Sequence, residues 1–441
     1  MIHSCGDQLI SEATWVLLLR LNRGYPGHDF PRDGINFVME KLTDQNIFWC
    51  LDEVLHEAGM PEERSESLKI NLKEKAETAT GSLVYTSTTG GLDKNFRINP
   101  SAPLPKPKPG QHLVQAIATA LNPVDYKPAE IPVVGRLIVP KPATPGIDFA
   151  GRIIVPATGS PLKRGQLVFG MAGTNPLAGG ALAEFTLAET ENAVALPDGV
   201  DAVDAATIGV AALTAYQSIV PRVNKGDHVF INGGSGGTGV FGIQIAKAVG
   251  CHVTTTCSTA NIELCKSLGA DEVVDYRKQA VVEALKGSGR TFDHVVDNVG
   301  ADLNLYWRCH EYTNPQAVYV MVGGTPSFGF AVGMFKMMLW PGFLGGGKRK
   351  FAGFFPKPKY EDLEQIGMWM KEAKVRAIID QKFSFEQAPK AFEKLKTGRA
   401  KGKIVVDVAS ETYRKACRAG NFCAEMEIHI TAHNRKDTYM P

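Results

Sequence analysis

The run His228-Val-Phe-Ile-Asn-Gly-Gly-Ser-Gly-Gly-Thr-Gly239 carries the strongest chemical signal in the chain. Gly234, Gly236 and Gly239 are spaced G-x-G-x-x-G, with a short apolar strand before them and an amphipathic helix after, reaching Gly250. The chemistry of a phosphate-binding turn needs these types in this order. The first glycine permits a tight turn, the second lets backbone approach a pyrophosphate, and the third lets helix pack on strand. Gly234, Ser235, Gly236, Gly237, Thr238, Gly239 and Val240 then offer free N–H groups and the positive end of a helix dipole to phosphate oxygens. A second apolar run, His252–Cys257, supplies the neighbouring strand that the spacing alone does not guarantee.

The end of that second strand bears on which dinucleotide fits. An NAD site places Asp or Glu there, about 20 residues on, to hold the ribose 2′-hydroxyl. Here the segment reads Thr256-Cys-Ser-Thr-Ala-Asn261, and the first acid is Glu263, already in the next helix. Ser258 and Thr259 leave room for a 2′-phosphate, and Lys266, Arg277 and Lys278 could neutralise it. The pattern therefore favours NADPH over NADH. Asp293–Asn298 and Ala317–Gly323 read as further parallel strands. Their carboxyl ends should face the cofactor, as ligands of such sheets bind there.

Positioning these residues requires alternating strand and helix, which the pattern supplies from about residue 205. Before it, from Gly81, short strands alternate with Gly and Pro turns, the style of a β-rich domain. Pro103, Pro105, Pro107 and Pro109 separate two such strands, because proline at that density suits neither helix nor central strand. After about 340 the β-rich style returns with helices at Glu361–Glu372 and Glu386–Lys396, closing on the strand Lys403–Asp407. Residues 1–80 show helical spacing at Ile47, Leu51, Val54 and Leu55, and residues 411–441 read as a poorly ordered tail.

Charge sharpens this division. The chain has 48 basic and 46 acidic side chains, net +2, which argues against a general nucleic-acid binder. The acidic excess lies in residues 1–80, at −6, whereas 81–410 carry +7, suited to an anionic cofactor. No stretch reaches the ~20 apolar residues of a membrane span. The closest, Phe328–Gly345, is interrupted by Lys336 and Pro341. Trp15–Leu19 is too short for a secretory h-region, and the N-terminus lacks the Arg-rich, acid-poor character of a transit peptide. A cytoplasmic location is expected, with a mitochondrial one as the alternative. The eight cysteines form no C-x-x-C and no short metal spacing, and they read as reduced thiols. His228, His252, His294 and His310 lack a spaced ligand partner.

Together these residues resemble the medium-chain dehydrogenase/reductase superfamily over roughly 82–408, and within it the zinc-free quinone oxidoreductase-like and enoyl reductase-like branch. The resemblance is carried by Asn122-Pro-Val-Asp-Tyr-Lys127, Pro145-Gly-Ile-Asp-Phe-Ala-Gly151, Lys163–Gly170, Gly180–Phe185, Ala211–Tyr216, Lys266–Asp271 and Gly398-Arg-Ala-Lys-Gly-Lys403. Gly345–Phe351 is similar to fungal and plant members described as zinc-type alcohol dehydrogenase-like or quinone oxidoreductase-like. The resemblance implies an α/β protein: a GroES-like β-rich catalytic domain at 81–204, a Rossmann-type doubly wound parallel sheet at 205–340, and a return to the catalytic domain at 341–410. Residues 1–80 are an extra, partly helical extension. Zinc members place a cysteine where this chain has Asn122–Asp125 and a Gly-His-Glu where it has Gly146-Ile-Asp148. Between Cys50 and Cys251 there is no cysteine, so zinc at those sites is not expected.

The resemblance also implies roles. Asn122, Pro123, Val124 and Asp125 line the nicotinamide end, with Thr214 beside them. Gly234–Val240 hold the pyrophosphate. Ser258, Thr259, Asn261 and Tyr276 surround the adenosine 2′-phosphate, and Asn298, Val322 and Gly323 approach from the strand ends. Tyr126, with Lys127 lowering its pKa, is the expected proton donor to the reduced substrate, water being the alternative. Without a Lewis acid the expected reaction is hydride transfer from NADPH to a substrate already polarised: an enone, quinone or enoyl thioester. A narrower form is a separately encoded enoyl reductase working with a polyketide synthase. The other reading is a non-catalytic NADPH-binding sensor or adaptor. The apolar Pro326–Leu344 is read as a lid over a hydrophobic substrate, a homodimer contact, or core.

Overall fold

A computed structural model describes residues 80–409, apart from 132–134, 136–138, 173–179, 325–327 and 340–346. The expected helices of the N-terminal extension and the expected tail lie outside the described residues. Gly81–Pro100 and Pro105–Arg418 form one compact unit, which holds both large sheets.

The first sheet is built mainly from the N-terminal half of this unit. After the pair β1 (Thr80–Tyr85) and β2 (Phe96–Ala102) come β3 (Gln111–Leu121), β4 (Asp148–Val155), β5 (Leu167–Met171), β6 (Phe185–Glu189) and β7 (Ala193–Ala195). β3 is the axis of this sheet: it pairs antiparallel with β4, with β6 and with the late strand β15. Ten of its eleven residues are buried, the polar Gln111, His112 and Thr119 among them, so it shows no alternation of buried and exposed positions.

The second sheet is parallel throughout: β8 (His228–Asn232), β9 (His252–Cys257), β10 (Glu272–Asp275), β11 (Phe292–Asp297), β12 (Thr313–Met321) and β13 (Lys350–Gly353), in the order β10-β9-β8-β11-β12-β13. That is the doubly wound order, with its switch point between β8 and β11. Helix α1 (Gly209–Ile219) precedes β8, and α2 (Gly237–Val249) follows it. Val240, Phe241, Ile243 and Ile245 of α2 are fully buried, each worth about 1.5–3 kcal/mol. Gly250 ends the helix at φ 98°, a left-handed cap that only glycine adopts cheaply.

The chain then crosses back. β14 (Ile379–Ser384) and β15 (Lys403–Asp407) pair parallel, and β15 pairs with β3, so the last described strand belongs to the first sheet. One boundary differs from the sequence reading, which ends the parallel sheet at 340. β13 lies beyond that point yet pairs with β12. The reason is Phe351, whose ring packs against Tyr306 and Tyr319 at 5.0 and 6.4 Å between centroids and so draws a short strand onto the sheet edge. The apolar segment forms helix α3 (Phe328–Leu339). Phe330, Met334 and Met337 pack into the core of the parallel-sheet lobe. Val332, Phe335, Met338 and Leu339 remain exposed.

Candidate active site

Four strand ends and one turn converge around the phosphate-binding loop. Gly233, one residue ahead of the spaced glycines, takes φ +82° and makes the tight turn. A side chain on Gly239 would lie 2.1 Å from the Gly233 carbonyl oxygen, whereas at Gly236 the nearest atom is 3.5 Å away. The third glycine thus lets the helix pack on the turn, and the second leaves the loop open to a ligand. Helix α2 opens at Gly237 with no side chain capping it and no acid in its first turn, leaving its first N–H groups available to an anion. Val240 is buried and its N–H donates to the Gly236 carbonyl, and the N–H groups of Gly234 and Gly236 are taken by the Thr256 and Gly233 carbonyls, so these three are not among the free donors expected.

A buried network orders this loop from beneath. Asp297 is fully buried at the end of β11. Its Oδ1 accepts from Asn232 Nδ2 at 2.8 Å and from the N–H groups of Val299 and Gly300, each at 2.9 Å, and its Oδ2 accepts the Tyr319 hydroxyl at 2.8 Å. Asn232 Oδ1 accepts from the Thr256 hydroxyl, which itself accepts the Gly233 N–H at 2.8 Å. The turn is therefore tied through β8 and β9 to β11. Asp297, Asn232 and Thr256 were not singled out from sequence, although each ends a strand that was.

At the carboxyl end of β9, Asn261 Nδ2 donates to Ser235 Oγ at 3.0 Å, joining the loop after β9 to the glycine turn. Asn261 Oδ1 is buried without a partner. Tyr276 is 53% exposed, free to stack on a ligand ring. Lys266 lies on Glu263 at 3.4 Å, while Arg277 and Lys278 are exposed beside Tyr276. Asp275, paired with Cys257 across β10 and β9, was missed by the linear reading. Its carboxylate accepts the Thr259 hydroxyl at 2.6 Å and the Arg277 N–H at 3.0 Å, and the Thr259 bond, helped by the Arg277 N–H, holds it below the ordinary carboxylate range.

At the other end, Val322 and Gly323 follow β12, and both N–H groups donate to the Asp297 carbonyl. A side chain on Gly323 would lie 1.9 Å from the Asn298 carbonyl oxygen, so the two strand ends touch through backbone. Asn298 has both amide atoms buried and without a partner. Orphaned amide groups at both ends of an open helix start fit a polar dinucleotide.

The turn Asn122–Lys127 follows β3. Asn122 and Asp125 are 4% and 3% exposed, so their polar side chains face inward; Pro123 is exposed and Val124 partly so. Asp125 caps the turn, accepting the Asn122 N–H at 2.6 Å and the Ile147 N–H at 3.0 Å. Asn122 Nδ2 donates to Asp148 Oδ2 at 2.8 Å, and Asp148 Oδ1 accepts the Val210 N–H at 2.6 Å. Lys403 Nζ completes the cluster, donating to Asn122 Oδ1 at 2.5 Å and Asp148 Oδ2 at 3.1 Å. Burial raises both carboxyls; Asp125, with Asp148 close by, is pushed up to about 7. Thr214 is buried in α1.

Tyr126 and Lys127 are not coupled as expected. The Lys127 ammonium donates to the Gly324 carbonyl at 3.0 Å, and its pKa is lowered by burial. The Tyr126 ring packs against the core of the first sheet, with Lys396 Nζ 5.4 Å from its centroid. Burial, reinforced by Glu130, raises the Tyr126 hydroxyl rather than lowering it. Adjacent side chains at the start of a helix diverge, so the two groups do not meet.

Residues 108–198 match the family model described as alcohol dehydrogenase GroES-like domain, and residues 268–406 the one described as zinc-binding dehydrogenase. The chain is 49% identical over 341 residues to the trans-enoyl reductase pgmF of Aspergillus terreus, covering 74% of this chain and 95% of the relative. It is 32% identical to the chloroplast envelope quinone oxidoreductase homolog of Arabidopsis thaliana, covering 74% and 97%. Among solved structures, the quinone oxidoreductase of Coxiella burnetii matches with a TM-score of 0.65 and 27% identity, over 75% of this chain and 99% of that one. The second family description implies a zinc ion, and the residues present do not fit one. No group of three His, Cys, Asp or Glu among the described residues could hold a metal, and the oxygens of Asn122 and Asp148 already receive the Lys403 ammonium. No described helix is long and apolar enough to cross a membrane.

Proposed function

The chain belongs to the medium-chain dehydrogenase/reductase superfamily, in its quinone oxidoreductase-like branch, whose members use nicotinamide cofactors, and from that premise we propose that it is a zinc-independent, NADPH-dependent reductase of activated C=C bonds or quinones. The observation that carries this reading is the Lys403 ammonium seated between Asn122 and Asp148. A site organised around a side-chain cation has no Lewis acid to polarise a simple alcohol or ketone. Its substrate must arrive polarised, as enones, quinones and enoyl thioesters do. The similarity to a trans-enoyl reductase supports a narrower form, an enoyl thioester reduced in trans on a chain carried by a polyketide synthase.

When bound, the cofactor supplies the hydride. The residues do the rest: the open start of α2 holds the pyrophosphate, Asn298 and Gly323 orient the nicotinamide end, and Pro123 and Val124 present the opposing wall. Ser258 and Asn261 favour a 2′-phosphate together with the exposed cations of Arg277 and Lys278, which outnumber the single carboxylate of Asp275, whose oxygens are turned onto the Thr259 hydroxyl and the Arg277 N–H. The enolate or hydroquinone anion left by hydride transfer takes its proton from solvent, since the Tyr126 ring is packed against the core of the first sheet.

Steady-state assays with a panel of enones, quinones and enoyl thioesters test this. NADPH should be oxidised with kcat/KM at least about tenfold above NADH, roughly 1.4 kcal/mol of discrimination. Equal use of NADH would defeat the cofactor assignment. Tight NADPH binding with no oxidation on any acceptor would favour the sensor or adaptor reading.

A further inference from the structure

Lys403 is nearly inaccessible, at 2% exposed, and a buried lysine is retained only where its charge is matched. Its partners are specific. Asn122 presents an oxygen to the ammonium and its NH2 to the Asp148 carboxylate. With a donor-only cation on one side and an acceptor-only carboxylate on the other, the Asn122 amide has one orientation available. Asp148 in turn fixes the start of α1 through the Val210 N–H. The residue before Lys403 reaches the other lobe: Gly402 N–H donates to the Ser235 carbonyl at 3.0 Å, inside the phosphate-binding turn. A side chain on Gly237, the first residue of α2, would lie 3.4 Å from both the Gly402 oxygen and Lys403 Cδ.

Resting on the reductase reading above, we propose that Lys403 is a positioning residue: through its backbone neighbour it is registered on the phosphate turn, and through its ammonium it sets where the Asn122–Asp125 turn stands against the nicotinamide end. The cation itself does not touch the reacting atoms. It acts by converting the placement of one lobe's turn into the placement of the other's, and a misplacement of about 1 Å costs up to about a hundredfold in rate. Tyr85 faces Asp125 closely enough to feel its charge, so the titratable groups gathered here are Asp125, Asp148, Tyr85 and Lys403.

Lys403→Met alone leaves buried carboxylates without their cation and can fail to fold, so the test uses the double variant Asp148→Asn with Lys403→Met, which removes both charges together. Two quantities are measured on wild type and variant: the NADPH dissociation constant by titration, and the enhancement of nicotinamide fluorescence in the bound state, which reports how firmly the ring is held without requiring turnover. Turnover with the best acceptor of the panel is read in parallel. A positioning role gives a dissociation constant within about threefold of wild type, a clearly reduced emission enhancement, and kcat lower by about tenfold to a hundredfold. Emission and kcat within twofold of wild type would overturn the proposal. So would a joint collapse of NADPH binding and thermal midpoint, which marks a purely structural role. A wild type that binds NADPH with enhanced emission but reduces no acceptor defeats the reductase reading instead, and the emission comparison still decides Lys403.

Discussion

Each lobe holds a buried polar network, and the two networks are built on different principles. In the parallel-sheet lobe, Asp297 is satisfied by neutral donors only: an amide, a phenol and two backbone N–H groups. Its partners come from strands adjacent in one sheet. In the β-rich lobe, Asp125 and Asp148 lie close together, and Lys403 answers them from 255 residues beyond Asp148. A carboxylate surrounded by neutral donors can be completed locally. Two neighbouring carboxyls are relieved either by one keeping its proton, as Asp125 does, or by a counter-ion brought from elsewhere, as Lys403 is for Asp148. The first arrangement orders the glycine turn from within one sheet; the second couples the Asn122–Lys127 turn to a distant part of the chain.

Three substitutions press on this contrast. Asp297→Asn should have the largest effect of the three, because an amide cannot serve the Tyr319 hydroxyl as an acceptor on its nitrogen side. The expected loss is about 1–3 kcal/mol of stability, with weaker NADPH binding, read by thermal denaturation and titration. A neutral outcome would mean that the charge of Asp297 is immaterial to the loop. Asp125→Asn should cost less, about 1 kcal/mol, since only one backbone donor loses its acceptor while repulsion from Asp148 is relieved. Its signature is in pH. The native Asp125 carboxyl, at about 7, keeps a proton that the unfolded chain has lost above about 4. Its contribution to stability is therefore fully present below the unfolded value and is lost as pH rises toward 7. Denaturant titrations at pH 5 and pH 8 should show that slope in wild type and a flatter one in the variant. Tyr126→Phe should matter least: turnover within about twofold, because removing a phenol that packs on the core leaves the solvent route to the proton intact. A drop of tenfold or more would reinstate Tyr126 as the donor.

What was legible from the sequence divides along the same line. The glycine turn, the strand after it and the absence of an acid at Cys257–Asn261 are local patterns, and the structure has them close together in space. Asp275 was invisible because it arrives from the neighbouring strand, 18 residues past Cys257 yet directly beside it. Tyr126 and Lys127 were paired because they are consecutive, but a helical start points consecutive side chains apart. In sequence Lys403 is only the last residue of a motif, and nothing near it hints that its partner is Asn122, 281 residues away. Local periodicity reports backbone geometry well, whereas a buried counter-ion is a property of the finished packing.

The chain's return through β15 has a consequence for synthesis. A ribosome delivers residues in order, and domains tend to organise as they emerge. The Asp297 network can close once residues 228–321 are out. The Asp125–Asp148 pair, made early, waits for a lysine almost at the end of the fold. Until then the nascent β-rich lobe holds two carboxylates without their cation and lacks the strand that pairs with β3. The Asn122–Lys127 turn therefore receives its counter-ion and its last neighbouring strand only after the whole parallel sheet has been synthesised.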